Sequence, residues 1–190
     1  MILLVAVILA LMIGLARGGS LRQVADLPLH WGWVALLAFA LQVFLVYSPL
    51  ETQGRLLSPW AGILVLSYLL LFAVVWSNRS LSGVAIIGLG LALNLAVIVA
   101  NGGFMPVTPE ALKRAGQADL APSLESGTLV SSTKDIILTR EETKLWILSD
   151  VFVLPTPLPV ASTFSPGDVL IAVGAFMLLQ AAMGVNLLWK

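Results

Sequence analysis

The sequence predicts an all-α, polytopic membrane protein: five transmembrane helices and one long outward-facing loop that contains short helices. Three observations carry this. Of 190 residues, 59% are hydrophobic and only 11% charged, where soluble domains carry about 25% charged residues. The mean hydropathy is +1.00. The apolar residues fall into five long runs, and a backbone in lipid has no partner outside itself, so each run has to be a helix. The chain is read as a single membrane domain, 1–190, with spans at about 1–16, 31–48, 60–76, 81–100 and 166–189 and an outer loop at 101–165.

Composition also excludes function classes. Ten basic and ten acidic residues cancel, which leaves no basic field for nucleic acid. Without cysteine there is no disulfide, thiolate metal site or cysteine nucleophile, and the single His30 cannot build a histidine metal site. No metal and no cofactor is expected. His30 is read as an interfacial residue beside Trp31 and Trp33.

In chain order, the run 1–16 has no basic stretch before it, unlike a cleavable signal, and is read as a retained first span. RGGSLRQVADLPLH follows as a connecting loop. The second span carries Gln42, suited to a hydrogen bond between helices or to a substrate contact. Ser58 and Pro59 are placed to cap and start the third span, which Trp60 and Trp76 bracket at the two interfaces. A tight turn, Asn78-Arg79-Ser80, leads to the fourth span. There Gly83, Gly88, Gly90 and Ala92 allow a neighbouring helix to approach closely, with Asn94 at depth.

In the long loop, Thr108 and Pro109 predict a short helix stopped at Gly116. TLVSSTKDIIL reads as two short strands or as irregular chain, since periodicity does not decide. Thr139 and Glu142 have capping-box spacing, which predicts a second helix running toward Asp150 and ending before Pro155. Its apolar body, LWIL, suggests a helix pressed on the membrane surface or on the spans. The fifth span opens with Ser165-Pro166-Gly167-Asp168 and offers Gly174, Gln180, Gly184 and Asn186 as contact positions. Arg17, Arg22, Arg79 and Lys190 fall on one side and Arg55 on the other. The positive-inside rule then puts the N-terminus and the long loop outside and the C-terminus in the cytoplasm.

Two carboxylates stand out. Asp168 fits a helix-capping acid, and Asp150 an acid near a helix end. Taken together, they lie on one side of the membrane, joined by a loop that can bring them into contact. A carboxylate pair that cannot doubly ionise divides into an acid and a base, the chemistry of aspartic proteases. NGGFMPV at the exit of the fourth span reads either as a glycine C-cap or as a support for substrate through Asn101, Gly102, Gly103 and Phe104, with Ser165 beside it.

Around these aspartates the chain resembles the C-terminal part of lipoprotein signal peptidases. Phe164, Ser165, Pro166, Gly167, Asp168 and then Gly174 stand where that family has Phe-Asn-x-Ala-Asp and a glycine. Ser149-Asp150-Val151-Phe152 is similar to the setting of its first catalytic aspartate. Across its length the chain resembles an uncharacterised bacterial family of five-span membrane proteins, a domain of unknown function. That likeness lies in Arg17-Gly18-Gly19-Ser20-Leu21, Leu41-Gln42, Asn101-Gly102-Gly103-Phe104-Met105-Pro106-Val107, Leu148-Ser149-Asp150 and Phe164-Ser165-Pro166-Gly167-Asp168. It implies a place in the bacterial cytoplasmic membrane. Two functions are expected: an outward-facing membrane aspartyl hydrolase, peptidase-like, with the dyad Asp150 and Asp168; or a non-enzymatic small membrane protein, an accessory subunit or lipid or peptide binder, with both aspartates structural. The expected partners are the lipid bilayer and a peptide or lipid substrate.

Overall fold

The computed structural model describes residues 2–47, 58–121, 123–155 and 161–185. Met1, Ser48 and 186–189, the ends of three expected spans, lie outside the described residues, as do Arg55, Lys190, Pro157 and Pro159. The fold is mostly helical. Its long helices are α1 (Ile2–Ala16), α3 (Gly32–Tyr47), α4 (Pro59–Ser77), α5 (Val84–Ala100) and α7 (Pro166–Ala182). Among them α4 is long and apolar enough to cross a membrane by length and composition, and the other four are apolar helices of 15–17 residues.

The helices form a row in the spatial order α1, α7, α5, α4, α3. α7 runs antiparallel to α5: Gly174 lies against Gly83 and Gly167 against Gly90, where missing side chains let the two backbones meet. α1 runs parallel to α7, joined where Gln180 Nε2 donates to the Ala10 carbonyl at 2.6 Å. Gln42 makes the interhelical bond rather than facing a substrate, donating to Ser67 Oγ on α4 at 3.0 Å.

Several ends differ from expectation, for local reasons. The connecting loop 17–30 contains a short helix, α2 (Leu21–Ala25). α5 begins at Val84 rather than Leu81 because Gly83, at φ +80°, turns the chain first. α7 stops at Ala182, short of the expected 189, because Gly184 at φ +75° reverses the chain and the Val185 N–H returns to the Gln180 carbonyl.

The long loop is a folded cap and adds strands to the expected all-α fold. Its helix α6 (Pro109–Arg114) is as expected, with the Thr108 hydroxyl accepting the Ala111 N–H. β1 (Met105–Val107) pairs in parallel with β2 (Asp135–Ile137), and Leu129 bridges Ile136 antiparallel, so TLVSSTKDIIL is extended at its two ends and turns between them, with Ser132 at φ +60°. β3 (Phe152–Leu154) and β4 (Ser162–Phe164) form an antiparallel pair. Val107, Leu112, Val130 and Ile137 make the cap's own core. Phe104, Leu129 and Ile136 seat it on Ala61 near the start of α4.

The expected helix from Arg140 toward Asp150 does not form. Its first turn does: Glu142 accepts the Thr139 N–H at 3.0 Å, and the Thr143 N–H reaches the Thr139 carbonyl. Then the Asn101 side chain takes both the N–H and the C=O of Lys144, each at 2.9 Å, and Leu145 turns to φ +56°. A tertiary contact thus removes the groups that helix propagation needs. A 3-10 turn over Trp146–Leu148 and strand β3 follow in its place.

Candidate functional site

Asp168 is the third residue of α7 and closes a full capping box. Its N–H donates to Ser165 Oγ and its Oδ2 accepts the Ser165 N–H, both at 3.0 Å. Its Oδ1 accepts from Asn94 Nδ2 at 2.8 Å, and Ser165 Oγ donates to Asn94 Oδ1 at 2.8 Å. The network is recessed. Because Gly90 packs against Gly167, α7 begins level with Asn94, six residues before α5 ends, or about 9 Å below that end.

Asp150 arrives from above. It follows the 3-10 turn, its N–H donates to the Pro106 carbonyl of β1, and its side chain is buried. Its Oδ1 is buried without a hydrogen-bond partner, an arrangement that is costly for an ionised carboxylate. Burial pushes the Asp150 carboxyl well above the usual range, the charges of Asp135 and Asp168 push it further, and Lys134 opposes them.

Two more ionisable groups belong to this centre. Asp135, buried at the start of β2, is pushed from 3.8 to about 6, chiefly by burial, against the pull of Lys134 and the Thr133 hydroxyl. Lys134, half-buried, reaches down to α4, where its Nζ donates to Tyr68 Oη at 3.1 Å and lies 5.6 Å from the ring centroid. Tyr68 is the tenth residue of α4, about 14 Å along the helix from its start. Burial alone pulls the Lys134 ammonium down, but Tyr68, Asp168 and Asp150 outweigh it and hold the group above its ordinary value. Asp150, Asp135 and Lys134 therefore act on one another across the seam between cap and bundle, and the charge of Asp168 bears on all three. Among the described residues no group of three acidic or histidine side chains is arranged to hold a metal ion.

The NGGF segment serves that seam. Asn101 caps α5 and holds Lys144 with its amide, which also donates to the Val97 carbonyl. Gly102 and Gly103 both adopt positive φ, and Gly103 lies against Ala61 so closely that a Cβ would collide with it. Phe104 is buried in the cluster with Ala61, and Ser165 is fully buried as the cap. The charge of Asp168 thus bears on Asp150, while the side-chain hydrogen bonds of Asn101 and Ser165 are made to other groups of the chain. Lys134, Asp135 and Tyr68 were not singled out by sequence. A lysine and an aspartate in a short irregular stretch carry no periodic signal, and Tyr68 is one apolar-run residue among many.

The two raised carboxyls set a pH dependence. Between their ordinary and folded-state values, the folded chain binds more protons than the unfolded one, so stability falls as pH rises through that window. The thermal midpoint should therefore decrease as pH rises from 3.8, through Asp135 up to about 6 and through Asp150 over a window that opens at the same ordinary value. Asp135→Asn and Asp150→Asn should each flatten this slope. An undiminished slope in both variants would contradict the assignment.

A model of a family described as a family of unknown function (DUF5317) matches residues 26–180. No curated protein and no solved structure matches the chain. The local likeness to lipoprotein signal peptidases therefore rests on the quoted residues alone.

Proposed function

Because the chain belongs to a family of unknown function, DUF5317, we propose its role from the site itself: an outward-facing membrane aspartyl hydrolase, peptidase-like, with Asp150 and Asp168 as its acid pair. The observation that carries this reading is the contrast between the two carboxyls. Asp150 is buried with an unpartnered Oδ1 and favours its proton, whereas both oxygens of Asp168 accept N–H groups. Pairs of titratable groups in opposed settings are the mark of an acid and base division. In this mechanism Asp168 takes a proton from water as the water oxygen adds to the substrate carbonyl carbon, and Asp150 gives its proton to the carbonyl oxygen. Collapse of the tetrahedral species breaks the C–N bond: Asp168 gives the proton it took to the leaving amine, and a hydroxyl of the diol returns its proton to Asp150 as the new carboxylic acid forms. The Lys134 ammonium stabilises the charge that develops. Asn101, Gly102, Gly103, Phe104 and Ser165 hold the frame around the pair.

The same reading has α1, α3, α4, α5 and α7 crossing the bacterial cytoplasmic membrane, with the N-terminus and cap outside. Large exposed apolar side chains along them support it, including Met12, Leu36, Phe39, Trp76 and Leu89. The long helices alternate in direction along the chain, which supports the same reading. A second reading is favoured by the capping box: a non-enzymatic membrane protein, an accessory subunit or lipid or peptide binder, in which both aspartates are structural.

A statine-type transition-state mimic should bind the chain in micelles, and Asp150→Asn should bind it far less well. Equal binding by the variant, or none by the native chain at a concentration that inhibits aspartic proteases, favours the second reading. Orientation is tested separately in this cysteine-free chain: a cysteine at Ser126 should react with an impermeant thiol reagent in intact cells, and one at Ser80 should not. Labelling at Ser80 would reverse the topology.

A further inference from the structure

The turn between the cap and Asp150 presents apolar side chains that no part of the described chain covers. Leu145 is 51% exposed and Ile147 63%, while Leu148, next in sequence, packs inward on the bundle core. The height of this turn is fixed. Asn101, the C-cap of α5, holds the Lys144 backbone through two hydrogen bonds, so the turn lies level with the end of that helix, and the Trp146–Leu148 segment packs on α5 and α7.

The polar neighbours are sorted as well. The Arg140 guanidinium stacks 3.9 Å above the Trp146 ring, and Lys144 is exposed. Glu142 is turned away, accepting from Thr139 and Ser126, and Glu141 is exposed. Aliphatic side chains and a tryptophan with cations beside them, level with a helix end, suit the boundary between acyl chains and head groups. Two exposed aliphatic side chains are far too few for a stable protein interface, which buries about 1,200–2,000 Å².

We propose that Leu145, Trp146 and Ile147 seat in the outer leaflet of a lipid bilayer, with Arg140 and Lys144 taking lipid phosphates, and that this seat sets the position of Asp150. The link to Asp150 is short and rigid: the Ser149 N–H and hydroxyl both donate to the Trp146 carbonyl, and the Asp150 N–H is held by Pro106. The inference rests on the bundle crossing a membrane, and not on hydrolysis.

The test places a nitroxide on single cysteines at Leu145 and Ile147 in the chain reconstituted into phosphatidylethanolamine–phosphatidylglycerol vesicles. Relaxation by oxygen and by a water-soluble nickel chelate is then compared. Leu89 on the exposed flank of α5 serves as the lipid reference and Glu125 on the cap as the water reference. The oxygen-to-nickel ratio at 145 and 147 should match that at 89 and exceed that at 125 several-fold. It should fall toward the value at 125 when Arg140→Gln and Lys144→Gln are combined. A ratio at 147 equal to that at 125, with 89 remaining lipid-like, overturns the leaflet seat alone. A water-like ratio at 89 overturns it together with the membrane-crossing reading.

Discussion

Asp150→Asn is expected to abolish hydrolysis while leaving the chain folded, and Asp168→Asn to abolish it at a cost in stability. An amide can neither give nor take the proton that the mechanism assigns to each carboxyl. The two substitutions nevertheless differ structurally. Asp150 Oδ1 has no partner, so an asparagine there forfeits no hydrogen bond at that atom and, like the protonated acid, buries no charge. At Asp168 the two oxygens meet two N–H donors, from Asn94 and Ser165. An amide has one acceptor, so its own NH2 faces a donor, and the loss should be about 1–3 kcal/mol. The double variant should be no less active than either single one, since members of a catalytic unit are not additive. Peptide cleavage and thermal unfolding measured on the same preparations separate the effects. Full activity in Asp150→Asn would end the hydrolase reading.

A branched side chain at Gly174 should unseat α7 from α5, with a large loss of stability. A Cβ built there lies 2.6 Å from the Gly83 carbonyl oxygen and 2.8 Å from the Ile87 nitrogen, both backbone atoms that cannot swing aside. At Gly167 a Cβ would collide with Asn94 Oδ1 and lie 2.7 Å from the Gly90 carbonyl. Overpacking costs about 1–3 kcal/mol where side chains can adjust. Here the helices themselves have to part for the Cβ alone, so Gly174→Ala should reach at least the top of that range and Gly174→Val should exceed it. The displacement also draws Asp168 away from Asn94. An unchanged thermal midpoint in Gly174→Ala would show that the two helices do not meet there.

The residues that sequence alone located are those whose structure is decided within a few positions. The apolar runs became helices, and Ser58-Pro59, Thr108-Pro109 and Ser165-Pro166 became helix starts, with each cap hydroxyl accepting an N–H three residues on. Asp168 was legible as a cap for the same reason. The failures came where distant groups competed with local ones. Thr139 and Glu142 formed the first turn of a helix, but Asn101, 43 residues away, claimed the backbone of Lys144 and the chain turned instead. The cap's strands were ambiguous because three-residue segments have no usable period.

By itself the sequence determined an apolar, mostly helical chain with an acid at the head of its last long helix, because hydrophobic runs and caps act locally. Only the tertiary structure decided that the long loop folds into a cap, that Lys134 reaches Tyr68 some 66 residues away, and that Asp135 joins Asp150 and Asp168 beside it. Those pairings follow from the close α5–α7 glycine contact, which recesses Asp168, and from the parallel β1–β2 pairing, which places Lys134 at the β1 edge above the helix ends. Charges gathered this way interact through space, and their spacing along the chain carries no trace of it.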